Sequence, residues 1–337
     1  MLMLFLTPFG NNDLTTEIDF SELIAKCLQE YMDPPVLEAF RDFLRRNRDS
    51  AWMIVSDYHM EKNSEYENYV AVFTVLPAAE HYITLPAMDA GLPTKLSQSD
   101  VTDRDIEFLR NLDHFTFAFV SDKKFRPAAP TVEMARASID KSLDNMMNWT
   151  NAKDCQPIIA EFRRFRSAAD ANGFNLKLFN HMTLTASFLS AIALIILRTI
   201  PTRLIYWVSD RDAITSNFDG IVHTIFRLNM HAFAIRHKLG TFDLAWFGES
   251  PESQQSPGKK KALPFAPFIR VPDYIAAPVA AAELKTPGLK LLDKEKYKRI
   301  LAYVIADNPN VAVLRLVNDP GWGIHRCAVS LTPFAGP

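Results

Sequence analysis

Residues Arg203 to Gly220 read RLIYWVSDRDAITSNFDG, and the fold is decided by how this stretch changes character. Leu204 to Val208 is an unbroken aliphatic and aromatic run whose bulk suits a pleated, buried surface, so it predicts a strand. The run stops at Ser209-Asp210-Arg211-Asp212. Polar residues there set carboxylates at a sheet edge, facing solvent yet fixed to a rigid element. Thr215, Ser216 and Asn217 are N-cap types for a helix over about Ser216 to Arg236, in which Ile221, Val222, Ile225, Phe226 and Leu228 recur at helical spacing. Strand, acidic turn and helix form one unit.

Earlier segments share this form. Ala51 to Asp57 (AWMIVSD) and Phe115 to Asp122 (FTFAFVSD) are apolar runs ending in Ser-Asp, and Tyr69 to Leu76 (YVAVFTVL) is a further strand. The first and second strands, joined by the polar turn His59 to Asn68, are expected to form an antiparallel hairpin. Asp19 to Arg48 reads as helical with a break at Pro34-Pro35, and Thr131 to Trp149 and Pro157 to Ala171 are helical by pattern. Met182 to Ile200 is the most apolar stretch, but its strictly apolar part falls short of the roughly 20 residues that span hydrocarbon, so it predicts a buried core helix. Thr241 to Phe247 is a strand, and Glu249 to Lys261, rich in Ser, Pro, Gln and Lys, is an exposed loop. Pro272-Asp273 then opens a small-residue helix, YIAAPVAAAEL, interrupted by Pro278. A helix over Asp293 to Ile305 and a strand over Asn310 to Val317 follow.

These elements imply an α/β fold with a mixed central sheet flanked by helices. The reading is one domain over 1–337: an N-terminal helical segment at 1–50, a core at 51–285 with a helical insertion near 130–200, and a C-terminal extension at 286–337. With 337 residues, 48% of them hydrophobic, the chain has ample material for a core. A formal net charge of −2 excludes a global basic field, so nucleic acid would meet only local patches. The Arg163-Arg164-Arg166 cluster, Arg41 to Arg48 and Lys259 to Lys261 are those patches, with solvated charge as the simpler reading. Cys27, Cys155 and Cys327 are widely spaced, which suits a reducing cytoplasm and neither a zinc pattern nor a disulfide framework. MLMLFLTPF at the start lacks the features of a signal peptide and reads as a strand or packed tail. No GxGxxG, P-loop, GxSxG or HExxH motif occurs.

The chemistry expected here is carboxylate chemistry. If the first and fourth strands are parallel neighbours, Asp57 and Asp210 lie side by side, and like charges so placed repel unless a cation relieves them. Oxygen ligands suit Mg²⁺ or Mn²⁺, and a pair of such ions can activate water and stabilise the leaving oxygen of a phosphodiester. In element order, and in IVSD (Ile54 to Asp57), WVSDRD (Trp207 to Asp212) and VPDYIAAPVAA (Val271 to Ala281), the chain resembles the ribonuclease H-like superfamily. More narrowly, it is similar to a group of bacterial proteins whose first and fourth strands end in an acid. The resemblance implies a ribonuclease H-like core acting as a metal-dependent nuclease on RNA or DNA. It makes Asp57, Asp210 and Asp273 the catalytic metal ligands, with Asp212 substituting for or supplementing Asp210 and Glu133 as the helical acid.

Other readings stand beside it. Each Asp also suits a turn or helix cap. The chain is alternatively a non-catalytic interaction protein of a bacterial defence or toxin system, with a protein partner, or a peripheral membrane protein using Met182 to Leu197. His59 could assist proton transfer, although a lone His in a polar turn is ordinarily solvated. His223 and His231 share a helix face with Asp219 as a local partner, and Trp207 and Trp246 read as core rather than as base-stacking platforms.

Overall fold

The computed structural model describes residues 34–48, 51–60, 68–78, 100–122, 131–147, 156–209, 212–247, 265–285, 288–290, 294–317 and 323–327, with isolated positions within 24–28, 88–96 and at 129. The N-terminal nine residues, Asp210, the 249–261 loop, Cys27 and Cys155 lie outside the described residues.

Helix α1 spans Pro34–Asn47. Its two prolines sit in the first turn, where no intrahelical N–H is required, so the expected break is a helix start. Then come β1 (Ala51–His59), β2 (Asn68–Pro77), α2 (Asp103–Asn111) and β3 (Phe115–Asp122). The sequence reading passed over α2, whose Thr102 and Asp105 form a reciprocal capping box. Helices α3 (Val132–Met147), α4 (Gln156–Asp170) and α5 (Leu176–Thr199) lead into β4 (Leu204–Ser209). A single helical turn, Ala213–Ser216, and a 3₁₀ turn, Asn217–Gly220, precede α6 (Ile221–Arg236) and β5 (Asp243–Phe247). Phe218 and Asp219 have positive φ, so the expected helix starts at Ile221 rather than near Ser216. The rest is α7 (Ala266–Ala281), a small hairpin β6 (Glu283–Lys285) and β7 (Gly288–Lys290), α8 (Glu295–Ile300) running into a π turn at Leu301–Ile305, then β8 (Val311–Val317) and β9 (Gly323–Arg326).

Among the described residues, seven strands form one sheet in the order β5-β4-β1-β2-β3-β8-β9. β1 and β2 are the expected antiparallel hairpin, β2 and β3 are antiparallel, and β1 pairs β4 in parallel, with Ser56 beside Ser209. β4 and β5 are parallel, as are β3 and β8, while β9 runs antiparallel to β8. The fold is therefore α/β with a mixed sheet flanked by helices, and its arrangement is compatible with a ribonuclease H-like core. The strand expected at 310–317 is part of this sheet, beside β3.

Strand alternation divides the core in two. Trp52, Ile54 and Tyr58 of β1, with Ile205 and Trp207 of β4, face a layer built from α1 and α3 to α6. Met53 and Val55 of β1, with Val208 of β4, face a second layer of α2, α7 and α8. Most of α5 lies in the first layer; it is long and apolar enough to cross a membrane, yet 83% of its most apolar window is buried inside the protein. Phe188 of this helix stacks on Phe119 of β3 with centroids 3.9 Å apart.

In the second layer α7 lies on β1 and β2. Its alanines, Ala276, Ala277, Ala280 and Ala281, let the helix approach the sheet closely, and all four are buried. The Asn68 side-chain amide of β2 donates to the Ala282 carbonyl at the helix end. Pro272 and Pro278 both stand inside the helix. An internal proline costs up to about 3 kcal/mol by deleting a backbone donor. Burial of Val271, Tyr274, Ile275 and Val279 offsets that cost, at roughly 1.5–3 kcal/mol for each large apolar side chain. Tertiary packing thus extends the helix two turns upstream of the expected start, and Asp273 sits in its middle instead of opening it.

Candidate metal centre

The site begins with a strand that runs further than its Ser-Asp ending suggested. β1 continues through Tyr58 and His59, so Asp57 is an interior strand residue. Alternation then puts Asp57 and His59 on one face, the face of Met53 and Val55. That face is covered by α7, which carries Asp273. One ligand atom from each of Asp57, His59 and Asp273 lies within 4.8 Å of the others. His59 Nε2 is 3.7 Å from Asp57 Oδ2, too long for a hydrogen bond.

Such spacing fits a shared ion. Two donors each about 2.1 Å from a metal lie roughly 3 to 4.2 Å apart, so the group closes on an ion with movements below about 1 Å. The side chains of Asp57 and His59 are 14% and 23% exposed, which leaves the group shielded but reachable. Burial pushes the His59 pKa down to about 4. At neutral pH its imidazole is therefore uncharged, the form that ligates metals. The Leu96 amide donates to Asp273 Oδ2 at 2.9 Å, which orients that carboxylate. Asp57, His59 and Asp273 form a possible divalent-metal site.

Beneath β1, on the opposite face, a polar network holds the strand to β4. Trp207 Nε1 donates to Ser56 Oγ at 2.8 Å, and the Ser56 and Tyr58 hydroxyls hydrogen bond at 2.6 Å. Burial, reinforced by the nearby Asp212 carboxylate, pushes the Tyr58 phenol far up, so it stays protonated, and Ser209 also bonds to it. Ser56 and Tyr58 flank Asp57, so the network fixes the backbone from which the carboxylate projects.

The other expected acids stand elsewhere. Asp212 caps the turn Ala213–Ser216, its Oδ1 accepting from the Ile214 and Thr215 amides at 2.7 and 3.0 Å. Glu133 occupies the first turn of α3, where its own backbone amide and the Thr131 hydroxyl hold its carboxyl below the usual range. That helix belongs to the layer across the sheet from α7. Asp210 follows Ser209 directly in sequence and is outside the described residues. Sequence reasoning weighed His59 only as a proton carrier; the signal for a ligand was the Asp-x-His spacing, which places both side chains on one strand face.

The remaining expected features have structural partners. Arg166 pairs with Asp140 and Asp170, and Arg164 is 3.9 Å from Asp219. Arg45 pairs with Glu38 and Asp42 on α1. His223 lies against Trp207 and Trp246, with ring centroids 4.5 and 5.7 Å away, instead of pairing with Asp219. Trp207 is fully buried, whereas Trp246 is 39% exposed with the Arg227 guanidinium over its ring.

No family model, no curated protein and no solved structure matches this chain.

Proposed function

We propose that the protein is a metal-dependent nuclease of ribonuclease H-like type, hydrolysing phosphodiester bonds of RNA or DNA. The observation that carries this reading is the convergence of Asp57 and His59 from a central strand with Asp273 from the helix above it. Support also comes from the parallel pairing of β1 with β4, the arrangement on which the expected role of Asp57 depended. Asp57, His59 and Asp273 hold the ion, and Asp210, next in sequence after β4, is the acid the reading adds. When bound, the ion supplies a more acidic water and a counter-charge for the leaving oxygen of the phosphodiester. The chain's own part is to fix the ligands: Leu96 orients Asp273, and the Trp207-Ser56-Tyr58 network fixes Asp57 from below.

The test uses end-labelled single-stranded and duplex RNA and DNA, incubated with the wild type and with Asp57→Asn, Asp210→Asn and Asp273→Asn in the presence of divalent ions. Cleavage that requires a divalent ion and falls at least ~100-fold in folded variants is expected, since each removes a metal ligand. A wild type that binds ions through these residues but cleaves none of the substrates would instead favour a non-catalytic interaction protein.

A further inference from the structure

The nitrogen in this site says more about the ion than the two carboxylates do. We propose that Asp57, His59 and Asp273 form a mononuclear site selective for ions from the Fe²⁺ to Zn²⁺ part of the first-row series over Mg²⁺. This rests on reading the group as a metal site, and it replaces the expectation of a pair of Mg²⁺ or Mn²⁺ ions held by oxygen alone.

Three observations lead here. First, strand geometry imposes the nitrogen donor: Asp57 and His59 are two residues apart on β1, so any ion gripped by Asp57 beneath α7 also meets the imidazole. Imidazole suits zinc, iron and nickel, whereas Mg²⁺ favours oxygen ligands in a near-ideal octahedron. Second, the three donor atoms lie within 4.8 Å of one another, a spacing that a single ion can bridge, and no second group of this kind exists among the described residues. Third, the side chains of Asp57 and His59 are mostly covered, which leaves little room for an ion's own shell of waters. Mg²⁺ sheds water reluctantly and ordinarily keeps several waters, so a covered mixed-donor pocket disfavours it.

The experiment is calorimetric titration of the full chain, stripped with chelator, using Zn²⁺, Co²⁺ and Mg²⁺ separately. Co²⁺ adds a visible spectrum that reports the ligand field independently of activity. The expected result is one ion per chain, with Zn²⁺ and Co²⁺ bound at least ~100-fold more tightly than Mg²⁺. In His59→Asp, which makes the donor set all oxygen, the Zn²⁺ preference should fall at least ~10-fold and the Co²⁺ spectrum should change. His59→Asn is the second variant should the aspartate disturb folding, checked by circular dichroism. Mg²⁺ binding within tenfold of Zn²⁺, or a stoichiometry of two, overturns the selectivity while leaving a carboxylate site in place. Zn²⁺ binding that survives unchanged in folded Asp273→Asn, or no ion binding at all, removes the metal site itself and this proposal with it.

Discussion

Replacing Asp273 by Asn should make the metal-free protein more stable while removing its response to metal. The oxygens that Asp57 and Asp273 offer lie no more than 4.8 Å apart, and His59, held neutral by burial, does not compensate them. Coulomb's law for unit charges at that separation gives about 3.5 kcal/mol of repulsion at an effective dielectric near 20. Water reaches the partly exposed side chains, so about 2 kcal/mol is a reasonable net gain from removing one charge. Asn keeps the shape and retains an oxygen to accept from the Leu96 amide, so little packing is lost. At about 2.1 cal/mol/K of unfolding entropy per residue, 2 kcal/mol in a chain this long corresponds to a rise of roughly 3 °C in Tm. The assay is thermal unfolding by circular dichroism, first in chelator and then in increasing Zn²⁺. The two proteins should exchange rank, because an ion at 100 times its Kd adds about 2.7 kcal/mol to the wild type alone. A variant less stable than the wild type in chelator would refute the reasoning, since it would show that the other contacts of these carboxylates outweigh their mutual repulsion.

Ser56→Ala removes the acceptor of the Trp207 indole and the partner of the Tyr58 hydroxyl, both buried; a loss of about 2 kcal/mol or more is expected in urea unfolding, with weaker ion binding. Burial also depresses the His223 pKa to about 4. The unfolded chain takes up this proton near pH 6.5 and the folded one only near 4, so stability is full above about 6.5 and declines by about 3 kcal/mol as pH falls to 4. Urea unfolding of wild type and His223→Gln at pH 7 and pH 4 checks the sign, the variant being less pH-sensitive. Asp219 holds φ +57° with an exposed side chain and only a 3.9 Å surface pairing to Arg164. Asp219→Gly should therefore stabilise by about 1 kcal/mol, the cost of the left-handed backbone exceeding the value of the ion pair.

Much of this architecture is legible in the residue order because its signals are local. Val-rich and Phe-rich runs such as Tyr69 to Leu76 and Phe115 to Asp122 specify strands by themselves, and the spacing of Ile139, Leu143 and Met146 specifies α3. What escaped depends on contacts between distant parts of the chain. Pro272 looked like a helix start because proline favours that position, yet packing of Phe268 and Ile269 carries the helix upstream of it. Asp57 looked like a strand end, but its neighbour Tyr58 is buried against the layer below and draws His59 into the strand. The Leu96 contact to Asp273 joins residues 177 positions apart, and nothing local to either announces it. The cap expected at Thr215 to Asn217 is instead made by Asp212, which was read as a supplementary metal ligand, with Thr215 completing the capping box three residues on.

The seating of α7 on β1 and β2 has a consequence for when Asp57, His59 and Asp273 can meet. Asn68 reaches the end of that helix across 214 positions of chain, and Asp57 meets Asp273 over a similar span. During synthesis the first three strands therefore leave the ribosome long before the helix that covers them. A nascent or C-terminally clipped chain that stops short of α7 lacks Asp273, and its Asp57 and His59 face solvent without the third donor. The three donors are thereby brought together only by the docking of α7, so the group cannot assemble in a growing polypeptide before residue 281 has emerged.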